Sequence, residues 1–266
     1  MPLRLAPSFR AQLAESDRPF VGMWVCSGSP LLAEVAAGSG LDWLLIDMEH
    51  SANTLESVLL QLQAVAAYPV TPLVRAPFND AVALKQILDL GAQNLIVPMV
   101  SSAEEARAAV SATRYPPEGV RGVGSALARS ARWNRVERYL QESAQHTSLT
   151  VQIETTAGVE AAADIAAVDG VDAVFVGPSD LSASMGLLGQ QTHPDVVAAV
   201  ERVFAAVHDA GKPVGVNAFD PAAADAYLAA GADFVAVGAD VALLARASEA
   251  LATRFIGTDG TPRSSY

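Results

Sequence analysis

Six ionisable side chains stand at or just beyond the ends of short apolar runs in this sequence: Asp47, Glu49, His50, Arg75, Glu154 and Asp180. Their types suit acid–base and charge-stabilising chemistry, since an imidazole titrates near neutrality and a guanidinium stays cationic. Any one of them alone is explained by a wet loop start. Polar groups that repeatedly follow strongly apolar runs are harder to dismiss.

Glu154 and Asp180 follow consecutive runs. On neighbouring parallel strands, roughly 4.8 Å apart, their carboxylates can converge on one point, where they repel unless a cation joins them. An all-oxygen donor set favours a hard divalent ion, Mg2+ or Mn2+ with Co2+ as a further candidate, and leaves positions for water or substrate. Taken singly, Asp180 also reads as a helix N-cap in Ser179-Asp180-Leu181-Ser182, and Glu154 as the partner of a rim arginine. Taken together, the metal reading leads.

His50 has acidic neighbours and reads as a general base, against a plain structural histidine. Arg75 reads as a fixed cation beside an oxygen that becomes anionic, or as the counter-charge of a core carboxylate. Asp89 lies four residues after Lys85, so an ordinary i,i+4 ion pair is its simplest explanation. A Schiff-base mechanism needs a lysine in the pocket. Of the two lysines, Lys85 falls inside a predicted helix and Lys212 before a strand, so neither qualifies.

The elements that must carry these residues are regular. Apolar runs at 20–25, 43–48, 71–74, 94–99, 149–153, 173–176, 213–216 and 234–237 alternate with segments of helical period at 30–37, 55–66, 81–90, 103–113, 159–168, 194–210, 221–230 and 241–255. Gly91, Gly211 and Gly231 close three of these helices, as a left-handed C-cap requires. Continuously apolar strands indicate a parallel sheet covered on both faces, and eight such units close into a (β/α)8 TIM barrel. An open doubly wound sheet would want a glycine-rich phosphate loop after the first strand, where Cys26-Ser27-Gly28-Ser29-Pro30 stands instead. The expected organisation is one catalytic barrel domain over 1–256 and a C-terminal tail over 257–266. Residues 115–145 form an unusually long connection carrying Arg121, Arg129, Arg132, Arg135 and Arg138, a length that suggests a functional or interfacial role.

Composition narrows the class. With 17 Lys+Arg against 29 Asp+Glu, the 266-residue chain has a formal net charge of −12, which disfavours nucleic acid and anionic membranes as partners. Hydrophobic residues make up 51%, enough for a closed core, and a single cysteine excludes an intrachain disulfide or cysteine-based zinc cluster. Neither a signal-peptide pattern nor an apolar stretch of membrane-span length is present, and the expected compartment is the cytoplasm.

The segments 44–51 (LLIDMEHS), 72–75 (PLVR), 94–100 (NLIVPMV), 121–129 (RGVGSALAR), 152–155 (QIET), 176–182 (VGPSDLS) and 234–240 (FVAVGAD) together resemble the HpcH/HpaI family of metal-dependent class II pyruvate aldolases, over roughly residues 20–255. The resemblance implies His50 as the catalytic histidine, Asp47 as its acidic support, Arg75 at the keto oxygen, and Glu154 and Asp180 as metal ligands. It implies that Asp89 approaches a neighbouring subunit's site, and that Gln152 with the turn Gly177-Pro178-Ser179 completes the 2-oxo acid pocket. Asn217 departs from the pattern, replacing an apolar residue found in several relatives, and bears on the choice of aldehyde. The implied assembly is a homohexamer, a trimer of dimers, with the last helix exchanged with or packed on a partner subunit.

The implied reaction is reversible carbon–carbon cleavage of a 4-hydroxy-2-oxo acid to an aldehyde and pyruvate or hydroxypyruvate, with a divalent metal and no organic cofactor. Two rivals stand beside it. One is a metal-dependent lyase of CoA esters, for which the arginines of 121–138 would supply a phosphate groove. The other is a non-catalytic assembly protein on the same barrel.

Overall fold

The computed structural model describes residues 3–257. Eight parallel strands close into a barrel in sequential order: β1 (Phe20–Val25), β2 (Trp43–Asp47), β3 (Thr71–Arg75), β4 (Asn94–Val97), β5 (Ser148–Ile153), β6 (Ala173–Val176), β7 (Val214–Asn217) and β8 (Phe234–Ala239). β8 pairs with β1 to complete the ring. The expected strands are all present, two with the expected bounds and the others with ends shifted by one or two residues. Residues of β2, β4 and β6 are buried throughout, as both faces of a parallel strand must be.

Alternation along each strand sorts side chains into two cores. Leu44, Ile46, Val74, Val174 and Val216 face outward against the helices. Trp43, Leu45, Leu73, Ile96, Phe175 and Phe234 face inward and fill the barrel's interior. Trp43, Phe175 and Phe234 meet there with ring centroids 5.8–6.3 Å apart. Because the period is two, the same inward faces carry Asp47, Arg75, Gln152 and Asn217 one layer higher, at the C-terminal mouth.

Gly91, Gly211 and Gly231 take φ of 92°, 71° and 102°, the left-handed conformation expected of them. One expected helix, 159–168, starts earlier and is divided into two short helices, Thr156–Glu160 and Ala162–Ala166. Two helices lie outside the expected set near the barrel's lower end. Helix Phe9–Glu15 closes that end, with fully buried Phe9 donating its N–H to Asn94 Oδ1 at 2.7 Å. Helix Tyr139–His146 belongs to the long connection before β5. A third, Pro178–Ser184, follows β6 at the mouth, where proline at its first turn marks the start.

Among the described residues no helix is long and apolar enough to cross a membrane. The last helix, Asp240–Ile256, buries only Asp240 and exposes Leu243, Leu244, Leu251, Phe255 and Ile256. All but its first residue of the expected tail lies outside the described residues.

Candidate active site

A cavity of about 300 Å3 opens at the C-terminal mouth, lined among others by Asp47, His50, Arg75, Gln152, Asp180 and Asn217. Gly177, Pro178, Ser179, Cys26 and Trp24 line it too. β1, β2, β3, β5, β6 and β7 thus each contribute, directly or through the residues that follow them.

Arg75, the last residue of β3, is 5% exposed. Its Nε donates to Asp47 Oδ1 at 2.7 Å, its Nη1 lies 2.7 Å from Glu49 Oε2, and its guanidinium sits 4.3 Å above the Trp24 ring. Burial opposes its charge, but the bond to Asp47 and the nearby Glu49 and Glu154 outweigh it, and its pKa stands raised. Arg75 thus balances the core acids Asp47 and Glu49 and also faces the cavity.

Asp47 works through the backbone. Its carboxylate accepts the N–H groups of Glu49 and His50 at 3.0 and 3.1 Å, and its carbonyl accepts from Ser51 and Asn53. The tight turn holds the exposed imidazole of His50 over the cavity. Asp47 supports His50 by shaping that turn rather than by bonding to the ring.

Glu154 is 1% exposed and stands behind the cavity wall. Oε1 accepts the Met99 N–H at 2.8 Å, and Oε2 accepts Gln152 Nε2–H at 2.5 Å. Among the described residues no arginine pairs with it in the way the alternative reading required. Burial first, then repulsion from Glu49 and Asp180, pushes its pKa up to about 7, although the Met99 N–H and Arg75 act the other way. Burial likewise raises the Glu49 carboxyl, against the pull of Arg75.

Asp180 lies in the first turn of helix Pro178–Ser184 and does not cap it; the N-cap is Gly177, without a side-chain bond. Gly177 is required for close approach: a Cβ there would fall 2.6 Å from Glu154 Oε2 and 2.8 Å from Gln152 Nε2. Gln152 Oε1 is buried without a hydrogen-bond partner. A buried acid whose pKa is pushed up, a second carboxylate within its field and an orphaned amide oxygen are a donor set that a hard divalent ion would satisfy. Among the described residues no group of three or more His, Cys, Asp or Glu gathers around one point, so such an ion would draw its remaining ligands from substrate and water.

Asp89 is elsewhere. It ends helix Ala81–Asp89 and pairs with Arg121 at 3.0 Å, in place of the expected Lys85. A helix that follows a barrel strand runs back toward the strands' N-terminal end, so Asp89 lies opposite the mouth of its own barrel. The arginine-rich connection before β5 lies at that end too. Arg121 is buried over Tyr115, Arg129 donates to Leu90 O, and Arg138 pairs with Glu142. They form no groove at this chain's cavity, which removes the support for a CoA-ester site. Lys212 Nζ donates to Val168 O near the same lower end, far from any Schiff-base position.

Trp24 and Met99 belong to the site but were hidden in apolar runs. An indole N–H near a strand's end needs a partner, which was a legible signal. The left-handed backbone of Met99, at φ 57°, that aims its N–H at Glu154 has none.

Known proteins agree with this architecture. The model of the HpcH/HpaI aldolase/citrate lyase family matches residues 21–247. A 4-hydroxy-2-oxo-heptane-1,7-dioate aldolase from Shigella sonnei (strain Ss046) is 53% identical over 248 residues, covering 93% of this chain and 94% of that one. The crystal structure of an HpcH/HpaI aldolase/citrate lyase family protein from Burkholderia cenocepacia J2315 is 41% identical with a TM-score of 0.88, covering 94% of this chain and 98% of that one. An HpcH/HpaI aldolase from Desulfitobacterium hafniense DCB-2 is 30% identical, with a TM-score of 0.86, and covers 97% of this chain and 100% of its own. The chain therefore belongs to the HpcH/HpaI aldolase/citrate lyase family.

Proposed function

We propose that the chain is a divalent-metal-dependent aldolase that reversibly cleaves 4-hydroxy-2-oxo acids to pyruvate and an aldehyde. The observation that carries this reading is the convergence of His50, Arg75, Asp180 and, through Gly177 and Gln152, Glu154 on one cavity. The Shigella sonnei relative, named for a substrate of this class, supports it.

Glu154 and Asp180 would hold the ion, which supplies Lewis acidity toward the carboxylate and keto oxygens of the 2-oxo acid. Arg75 donates to the keto oxygen, whose negative charge grows as the bond breaks. In the Gly177-Pro178-Ser179 turn proline has no N–H and the Gly177 N–H bonds Ile153 O, so the Ser179 N–H is the donor to the substrate carboxylate. His50 takes the proton of the 4-hydroxyl, and that oxygen becomes the carbonyl of the departing aldehyde. The electrons of the C3–C4 bond pass to the 2-oxo acid fragment, and protonation at C3 yields pyruvate. Addition is the reverse.

The exposed apolar residues of helix Asp240–Ile256 fit burial against a second copy, and a homo-oligomer, a hexamer by resemblance, is the proposed working form. Within it Asp89 would reach a neighbour's mouth. Gel filtration should give a mass well above the 27.6 kDa chain, and a monomer at micromolar concentration would count against it. The single free cysteine suits a reducing compartment, the cytoplasm.

The test of function is a panel of aldehydes offered with pyruvate or hydroxypyruvate, with EDTA and after return of Mg2+ or Mn2+. Turnover should vanish on chelation and return with the ion. Full turnover in a metal-free preparation would refute the metal assignment, and no product under any condition would restore the non-catalytic reading.

A further inference from the structure

Asn217 ends β7 with its side chain on the barrel's inward face, at the cavity wall. Trp24 Nε1 lies 2.7 Å from Asn217 Oδ1. An indole nitrogen only donates, so the amide must present its oxygen to Trp24 and turn its NH2 group away. None of the described residues accepts from that NH2 group. Around it the wall is apolar: Trp24, Phe219, Ala239 and Ala242 pack together in the barrel's inner cluster. Asn217 is therefore an oriented donor in an otherwise apolar quarter, and whatever fills that quarter must bring an acceptor or leave a desolvated N–H unpaired.

The position of the acceptor follows from Trp24. The Arg75 guanidinium lies 4.3 Å from the centroid of the same indole whose N–H holds Asn217. Arg75 and Asn217 are separated by a single ring. If Arg75 marks the keto oxygen, as in the proposed function on which this step rests, the carbon bonded to the keto carbon falls within that span. The far end of the aldehyde lies beyond the bond that breaks.

We infer that Asn217 is a specificity-determining residue on the 2-oxo acid side, selecting donors that carry a hydroxyl on C3, of which hydroxypyruvate is the smallest, over pyruvate. The hydroxyl accepts from the Asn217 amide while the rest of the donor rests on Trp24. A methyl group in the same place satisfies the apolar wall and strands the amide. Asn217 would then act on the choice of donor, where the sequence alone pointed to the aldehyde.

The experiment compares hydroxypyruvate with pyruvate for the wild type, Asn217→Leu and Asn217→Ala, the last removing the amide without adding bulk. Two readouts are needed: kcat/KM with one common aldehyde, and exchange of C3 protons with solvent deuterium, which requires no aldehyde. Both variants should shift the hydroxypyruvate-to-pyruvate ratio toward pyruvate by about 10- to 100-fold, in exchange as well as in turnover, since a site built to bond a hydroxyl discriminates against its absence. An unchanged ratio in active variants would overturn the inference while leaving the aldolase standing. A shift confined to turnover, with exchange ratios intact, would return Asn217 to the aldehyde. Failure of the metal-loaded wild type to exchange or turn over either donor would overturn the proposed function and this inference with it.

Discussion

Two buried arginines, one at each end of the barrel, are built from the same parts. Arg75 is 5% exposed, stacks on Trp24 at 4.3 Å and pairs with Asp47; Arg121 is 1% exposed, lies 4.6 Å from the Tyr115 ring and pairs with Asp89. Burial, an aromatic face and a carboxylate thus say little about role. What separates them is access: Arg75 lines the cavity among His50, Asp180 and Gln152, whereas Arg121 pins the long connection before β5 to the end of helix Ala81–Asp89. A larger groove, of about 1000 Å3, lies at the lower end, yet several of its polar side chains are taken up with one another in the pairs Arg10–Asp172, Arg114–Asp169 and His208–Asp233. Size and charge are poor guides beside convergence.

The contrast can be broken most severely at His50. Its imidazole makes no structural bond to a described side chain, so His50→Ala should leave folding and metal binding intact and lower cleavage by about 10²- to 10⁴-fold, as loss of a general base does. Cleavage kinetics and metal titration check this together. Near-normal cleavage would remove His50 from the chemistry.

At Glu154 the expected effect is a coupling of metal, pH and stability. Its folded-state pKa, raised from 4.5 to about 7, means that the folded metal-free protein holds a proton that the unfolded chain has released. Stability of the metal-free form should then fall as pH rises from about 4.5 to about 7, by an amount on the order of 3 kcal/mol for this group, and remain lower above that range. Mg2+ or Mn2+ should raise the melting temperature more at pH 8 than at pH 5. Equal stabilisation at both would contradict the placement of the ion against Glu154.

Arg121→Met keeps bulk and removes charge. Breaking a fully buried pair costs roughly 3–5 kcal/mol, but Asp89 is 30% exposed and recovers part by hydration, so about 2 kcal/mol, or several degrees of melting temperature, is expected. Donor-proton exchange should survive. Its loss without a change in melting temperature would show that the two arginines share one function.

Much of the mouth could be read in the chain because strand ends convert position into place. Asp47, His50, Arg75, Gln152, Asp180 and Asn217 all follow apolar runs, and the barrel gathers them. Pairings across the fold were less legible. The partner of Asp89 is Arg121, more than thirty residues away, and only packing of the long connection brings it there, so the local i,i+4 rule chose Lys85 wrongly. Helix Phe9–Glu15 is too short for a clear helical period, and its one decisive feature is the buried Phe9 beneath Trp43 and Phe234. Trp24 reads as core in sequence, and becomes part of the site because its N–H and its ring serve two neighbours at once.

The central claim is that the mouth stabilises the negative charge formed on the 2-oxo acid, with Arg75 as the fixed cation. Exchange of pyruvate's methyl protons with solvent deuterium, followed by NMR in metal-loaded wild type and Arg75→Ala, isolates that step because no aldehyde takes part. The account predicts ready exchange in the wild type and a loss of about 10²- to 10³-fold in the variant, as for removal of an oxyanion-stabilising donor. Exchange at the wild-type rate in a folded, metal-loaded Arg75→Ala protein would contradict it.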